Sequence, residues 1–343
     1  MRLTKEHLCH LPFCYAVGAV KTEGRTKYIF ATDDSGPCYA IDAETGEWEV
    51  VWEGPGGTMS IVPLPGRDGE FLASQNFLPG FSAARARIVR VSRRLGRWQV
   101  EPWLELPYVH RFDILERGGV FYFLGCILSD TREERAQWDV PGTLTAAPLS
   151  PGFAPPDHLE TIAGGMFRNH GYCRVRRTGY TQAYTACDQG VFQITPPPAS
   201  SGLWEVRQLL DTPASDVAVC DIDGDGQEEL AVIAPFHGDT FSIYHTAGSE
   251  YVEMYRYPKP LPFLHAVWGG TLGGRPAFLA GCRGGDREFF RIGFSDGLLK
   301  PQIIEAGFGP SNVAVLSEQG RDVILTANRE SHEGALFTIQ EVE

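Results

Sequence analysis

Short apolar runs alternating with polar turns recur along the whole chain, and their rhythm is that of strands, not helices. The repeated unit is a polar residue, an apolar strand, a glycine-containing turn, a second apolar strand ending in small residues, and a polar loop. "HAVWGGTLGGRPAFLAGCRGG" from His265, "NVAVLSEQGRDVILTANRES" from Asn312 and "DVAVCDIDGDGQEELAVIAPFHGD" from Asp216 carry it most clearly. Segments starting at Tyr15, Met59, His110 and His170 carry it with more drift, which makes seven units. Each continues into a third apolar run such as "TFSIYH", and usually into a fourth such as "WEVRQLL" or "YVEMYRY". Four strands per unit, with 343 residues shared among seven units, fits the ~40–50-residue spacing of propeller repeats.

The pattern predicts an all-β protein, a single domain over residues 1–343 folded as a seven-bladed β-propeller. Its blades start near Tyr15, Met59, His110, His170, Asp216, His265 and Asn312. The last unit lacks a fourth strand. The N-terminal "RLTKEHLCHL" is expected to supply it, closing the ring and covering a sheet edge. The insertion from Cys126 to His158 lengthens the third blade and predicts an ordered flap over one face.

Composition narrows the class. Apolar residues make up 43%, aromatic residues 11% and charged residues 21%, enough for a sizeable core and against disorder. A net charge of −13 argues against a nucleic-acid partner, because such binders neutralise phosphates with Lys and Arg. The densest basic run, "ARARIVRVSRRLGR" from Ala84 to Arg97, alternates at a strand's period and reads as an exposed strand and hairpin turn. "MRLTKEHLCHLPFC" lacks the apolar core of a secretion signal, and no window nears the roughly 18 apolar residues of a membrane helix. The expectation is a cytoplasmic protein with no membrane partner. Eight cysteines, none in a CxxC pair, suit reduced and mostly buried thiols.

One stretch carries metal chemistry on its face. In "CDIDGDGQEELAVI", Asp221, Asp223 and Asp225 alternate with residues that let the backbone curl, Gln227 offers a carbonyl and Glu229 a further carboxylate. A hard cation wants six to eight such oxygens, so the loop predicts Ca²⁺. An EF-hand is excluded, since its twelfth position is Val232 and a strand follows where a helix is required. The stretch resembles the FG-GAP or VCBS repeat family, whose blades carry D-x-D-G-D-G-x-x-[DE]-[LI] between their first two strands. The resemblance covers Ser215 to Tyr244 and implies calcium as a structural brace of one blade; it says nothing of activity.

A second constellation emerges from the repeat register. His110, His170 and His265 occupy one equivalent position, the entry to the innermost strand, at the end of the channel opposite the acidic loop. Taken singly, a propeller histidine is a packing residue bonded to a neighbouring blade. Taken together, the three could hold Mn²⁺ or Zn²⁺ with open positions for substrate, or serve as acid and base with Arg111 and Tyr172 beside them. Arg283, Arg329, Asn312, His237 and His332 fall at the same end and are candidates for binding a small carbohydrate or sugar acid.

Two functions follow from these residue types. One is a lyase or dehydratase that removes a proton next to a carboxylate or ketone and expels a β-substituent, which needs a cation, a base and a proton donor. In general layout the chain is similar to propeller polysaccharide lyases and aldos-2-ulose dehydratases. The other is a non-catalytic, calcium-stabilised binding platform. A glycoside hydrolase using carboxylates such as Asp33, Asp188 or Asp216 stands beside them.

Overall fold

A computed structural model describes residues 2–78, 83–134, 137–318 and 320–340, and among these it forms 28 strands and no helix. Strands pair in chain order as antiparallel meanders. Four-stranded sheets run from Cys14–Thr22 to Trp48–Trp52, from Ile61–Pro63 to Arg97–Glu105, from Asp216–Cys220 to Glu250–Arg256 and from Leu264–Leu272 to Leu298–Glu305. A fifth contains Asn312–Glu318, Arg321–Asn328 and Glu333–Gln340, and its outer strand is Arg2–His10, antiparallel to Glu333–Gln340. Between Val109–Arg117 and Glu205–Leu210 lies one eight-stranded sheet, whose halves are joined in the strand ladder by a single bridge pair among the described residues, Arg117 with Tyr180. The architecture is that of a β-propeller.

The first strands of successive sheets touch one another in order, Val109–Arg117 reaching the next half-sheet through Tyr180–Cys187, and Asn312–Glu318 returns to touch Cys14–Thr22. Second strands lie between neighbouring sheets and are buried on both faces, so they read as continuous apolar runs; Val120–Ile127, Arg275–Cys282 and Arg321–Asn328 each end in six buried residues. Outer strands alternate, as Arg97–Glu105 does, because one face meets solvent. The core is thus a set of inter-sheet layers: Ile29, Ala31 and Ala40 of one sheet pack on Phe71, Ala73 and Val89 of the next. The basic run forms Arg87–Arg94, a turn, and the start of Arg97–Glu105.

The insertion is shorter than the sequence pattern suggests. Gly142–Leu149 is the third strand of its sheet, which leaves 128–141 as the loop. Residues 135 and 136 of the expected flap lie outside the described residues. The loop is tied back by Asp130 N–H to Pro141 O and by Arg132 N–H to the Tyr108 hydroxyl.

One repeated backbone device aims side chains at the axis. In three sheets the first strand carries an extra residue, at Tyr15, His110 and His265, where pairing skips from Cys14 to Ala16, Val109 to Arg111 and Leu264 to Ala266. A bulge of this kind turns the surplus side chain out of the alternating pattern. Two residues earlier the chain takes positive φ, 53° at Phe13, 60° at Tyr108, 52° at Arg168 and 57° at Phe263. These tight entries bring the strands onto the axis.

Candidate functional site

Four imidazoles gather at the mouth of the channel, two of them, His110 and His265, at bulges. His265 enters from its own first strand, His170 stands just before Gly171–Arg177, and His237 comes from the loop after Glu229–Ala234, its N–H bound to Ser215 Oγ at 3.1 Å. Ring nitrogens of His170, His237 and His265 all lie within 4.8 Å of one another. His110 stacks on His170 with ring centroids 4.2 Å apart, behind that trio and outside it. The nitrogen cluster therefore joins His237 to two of the three histidines the repeat places in register.

Neighbouring sheets fix the tautomers. His110 Nδ1 faces His170 O at 3.1 Å, His170 Nδ1 faces Ser215 O at 3.1 Å, and His265 Nδ1 faces Ser311 O at 2.8 Å. A carbonyl only accepts, so each Nδ1 carries the proton and each Nε2 keeps its lone pair. Burial, helped by neighbouring charges, holds His110, His170 and His265 well below the usual histidine range and takes His237 down to about 3. All four are neutral at physiological pH, as metal ligation requires. Between His170 and His237 the Nε2 atoms stand 3.3 Å apart. Two nitrogens at 2.0–2.1 Å from one tetrahedral ion would stand about 3.3–3.4 Å apart, so the pair fits a shared ion. The Tyr15 hydroxyl donates to His265 Nε2 at 3.2 Å.

An aromatic wall lines this end. Phe236 stacks on His237 at 3.9 Å, Trp138 of the 128–141 loop packs on Phe236 at 4.9 Å, and Phe263 lies 4.8 Å from His237. Gly171, next to His170, allows the close approach of the neighbouring sheet, since a Cβ there would lie 2.5 Å from Asp216 Cα.

The other residues singled out in the sequence have settled partners. Arg283 donates to Glu330 at 2.5 Å and lies over Phe263; Arg329 is paired with Asp33 and lies over Phe13. His332 Nδ1 accepts the Phe13 N–H at 2.9 Å. Arg111 spans the channel, donating to Met59 O at 2.7 Å and to Asn312 Oδ1 at 2.9 Å, and Asn312 in turn donates to Tyr15 O. Tyr172 turns its hydroxyl away from the imidazoles to Asp113 at 3.1 Å, and Arg174 donates to the same carboxylate. Asp113 and Arg174 carry no sequence signal beyond strand alternation, which is why only their neighbours Arg111 and Tyr172 stand out in the sequence.

The acidic loop lies in the turn after Asp216–Cys220. Asp221, Asp223 and Asp225 bring carboxylate oxygens within 4.8 Å of one another. The loop curls as expected: Asp221 accepts the N–H groups of Gly224 and Gly226, at φ 79° and 89°, and Asp225 accepts that of Gln227. Among the described residues no Lys or Arg pairs with these carboxylates, and their basic neighbour is His245, 3.9 Å from Asp225 Oδ2; such a cluster fits a hard cation. Glu229 is fully buried, bound to Ile222 N–H and to His245 Nδ1 at 2.7 Å, and forms a second possible donor set with Asp223 and His245. His245, from the third strand of the blade, is a contributor the loop motif does not reveal.

Comparison with known proteins supports the architecture. Residues 214–246 match the FG-GAP repeat. No curated protein sequence matches the chain. Among solved structures, the β-propeller domain of Cps50 (Swd1) from Myceliophteria thermophila is similar at a TM-score of 0.61 and 10% identity, over 98% of this chain and 100% of that one. Saccharomyces cerevisiae Sqt1 is similar at 0.53 and 9% identity, and the PQQ-bound aldose sugar dehydrogenase of Streptomyces coelicolor at 0.51 and 12%, each over 99% of both chains. At these identities the likeness shows the fold alone. The chain is a repeat β-propeller with an FG-GAP repeat in one blade.

Proposed function

We propose that the chain is a seven-bladed, single-domain propeller enzyme, a carbon–oxygen lyase or dehydratase acting by β-elimination on a sugar acid or ketosugar at the channel mouth. The eight-stranded sheet counts as two blades, since one bridge pair joins its halves. The observation that carries the catalytic reading is the convergence of His170, His237 and His265. These three would hold Mn²⁺ or Zn²⁺, which when bound polarises a carboxylate or ketone oxygen and acidifies the neighbouring C–H. His110 is assigned the base: its Nδ1–H is fixed by His170 O, which leaves Nε2 to take the proton from carbon and return it to the departing oxygen, so that the β-substituent leaves as an alcohol or as water. Phe236, Phe263 and Trp138 exclude water from the face where an ion would sit. Arg283 and Arg329, held over aromatic rings, contribute their remaining N–H groups to a substrate anion.

Ca²⁺ is assigned to the acidic loop, on Asp221, Asp223 and Asp225 with Gln227 and Glu229, as a brace. Eight free thiols favour a reducing, cytoplasmic setting. A binding platform is the second reading, favoured by the ion pairs that occupy Arg283 and Arg329. Elemental analysis of protein purified without chelator, with a screen of uronides and ketosugars for the ultraviolet absorbance of a new conjugated double bond, separates the two. One transition-metal ion per chain and an unsaturated product support the enzyme; calcium alone with no product supports the platform.

A further inference from the structure

The channel holds a second site that the elimination chemistry does not use. A cavity of about 180 Å³ lies among the first strands, lined on one side by Arg111, Asp113, Tyr172 and Asp216 and on the other by Val17, Ile61, Val267 and Val313. The Arg111–Asn312 pair, which reaches to Tyr15, bounds it on the side of the imidazoles. Its volume is of the order that admits a ligand of about six non-hydrogen atoms, since a cavity of about 150 Å³ takes up benzene.

Asp216 is the group without a full set of partners. Only 5% of it is exposed, yet both bonds it accepts, from Tyr172 N–H at 3.1 Å and Val217 N–H at 2.9 Å, go to Oδ1. Among the described residues Oδ2 has no hydrogen-bond partner, and the side chain lines the cavity. This carboxyl, held by its Oδ1 and opening to the cavity, offers a ligand one free oxygen. We propose that the cavity binds a small monocarboxylate, held between the Arg111 guanidinium and Asp216 Oδ2, with the two carboxyl groups sharing one proton.

Charge selects this class. Asp113 is matched by Arg174 at 2.8 Å and by the Tyr172 hydroxyl, so that group is neutral as a whole. The Cys173 thiol and the Tyr15 phenol, the other titratable neighbours, are pushed up by burial and stay uncharged. Burial also lifts Asp216 to about 7 against the pull of Arg111, so it keeps its proton through much of the neutral range. The guanidinium is then the unmatched charge: it repels a cation, is left unanswered by a polyol, and is answered by a carboxylate. The valine and isoleucine face receives the ligand's short aliphatic part.

Titration calorimetry with pyruvate, and with glycerol as the neutral probe, tests this at pH 6, 7 and 8. Pyruvate should bind at pH 6 and weaken about tenfold per pH unit above 7, as uptake of one shared proton demands. Asp216→Asn keeps Oδ1 for the two amides and presents N–H to the ligand, so it should bind with that pH dependence abolished. No pyruvate binding at pH 6, glycerol binding as tightly, or an unchanged pH slope in Asp216→Asn would each overturn the proposal. The readout is binding, so it stands whatever metal content or elimination activity shows.

Discussion

Two regions of this molecule can hold an ion, and they are built in opposite ways. At the mouth, three imidazoles are neutral; His170 and His265 are buried and oriented by the carbonyls of Ser215 and Ser311, which belong to neighbouring first-strand entries, and His237 stands half-buried beside them. In the loop, three carboxylates stand in an exposed turn and are oriented by amides within the same few residues, such as Gly224, Gly226 and Gln227. The first site exists only when the ring of sheets is assembled; the second is complete in one hairpin. Nitrogen donors with fixed lone pairs suit a borderline ion, and oxygen donors on a curling loop suit a hard one.

The largest effect that could break this contrast comes from the mouth. His170→Ala or His265→Ala should abolish stoichiometric binding of Zn²⁺ or Mn²⁺, a loss beyond the roughly 10–100-fold that a supporting residue costs. Calcium retained by the loop should be unchanged. Metal analysis after dialysis against a defined ion mixture checks both, and loss of the two ions together would show that the sites are not independent.

Carboxylates offer the next test, because Asp216 is buried where the loop's acids are exposed. With its folded value near 7 against an ordinary 3.8, the folded protein holds this proton more tightly than the unfolded chain does. Below pH 4 both states are protonated and the residue costs nothing. Between pH 4 and 7 only the unfolded chain gives up the proton, and the cost grows to a plateau above 7, at most about 4 kcal/mol. Asp216→Asn should therefore leave stability near pH 4 almost unchanged and raise it by up to that amount at pH 8, read from urea unfolding at the two pH values.

Smaller again is the effect of emptying the loop. Protein in calcium at about a hundred times its dissociation constant should lose roughly 2.7 kcal/mol of stability when the ion is chelated. Asp221→Asn with Asp223→Asn should remove the calcium response and leave the transition-metal content of the mouth intact. Thermal unfolding with and without calcium reads this directly.

What the sequence reveals divides along the same line. The acidic loop is legible because its donors are contiguous, and strand order is legible because second strands buried on both faces read as unbroken apolar runs, such as "VFYFLGCI". Tyr15, His110, His170 and His265 are found by repeat register, since entry to the first strand is a local feature of every unit. His237 as the third nitrogen is not, because it comes from an exit loop and joins the others only through the path of the chain after Ala234. Nor are the rim ion pairs: Asp33 and Arg329 meet 296 residues apart, across the junction of the first and last sheets.

The smallest prediction is the most discriminating for the mouth. Tyr15 donates its hydroxyl to His265 Nε2, the atom a metal would need, while Ser311 O holds the proton on Nδ1. Tyrosine and metal thus compete for one lone pair. If His265 is a ligand, Tyr15→Phe removes the competitor, and the metal should bind about fivefold more tightly, the equivalent of the roughly 1 kcal/mol net worth of one hydrogen bond. If His265 only packs between sheets, the same change costs a similar amount of stability and leaves metal affinity unmoved. Competitive titration against a zinc chelator distinguishes the two, because only the loss of a competitor tightens the metal.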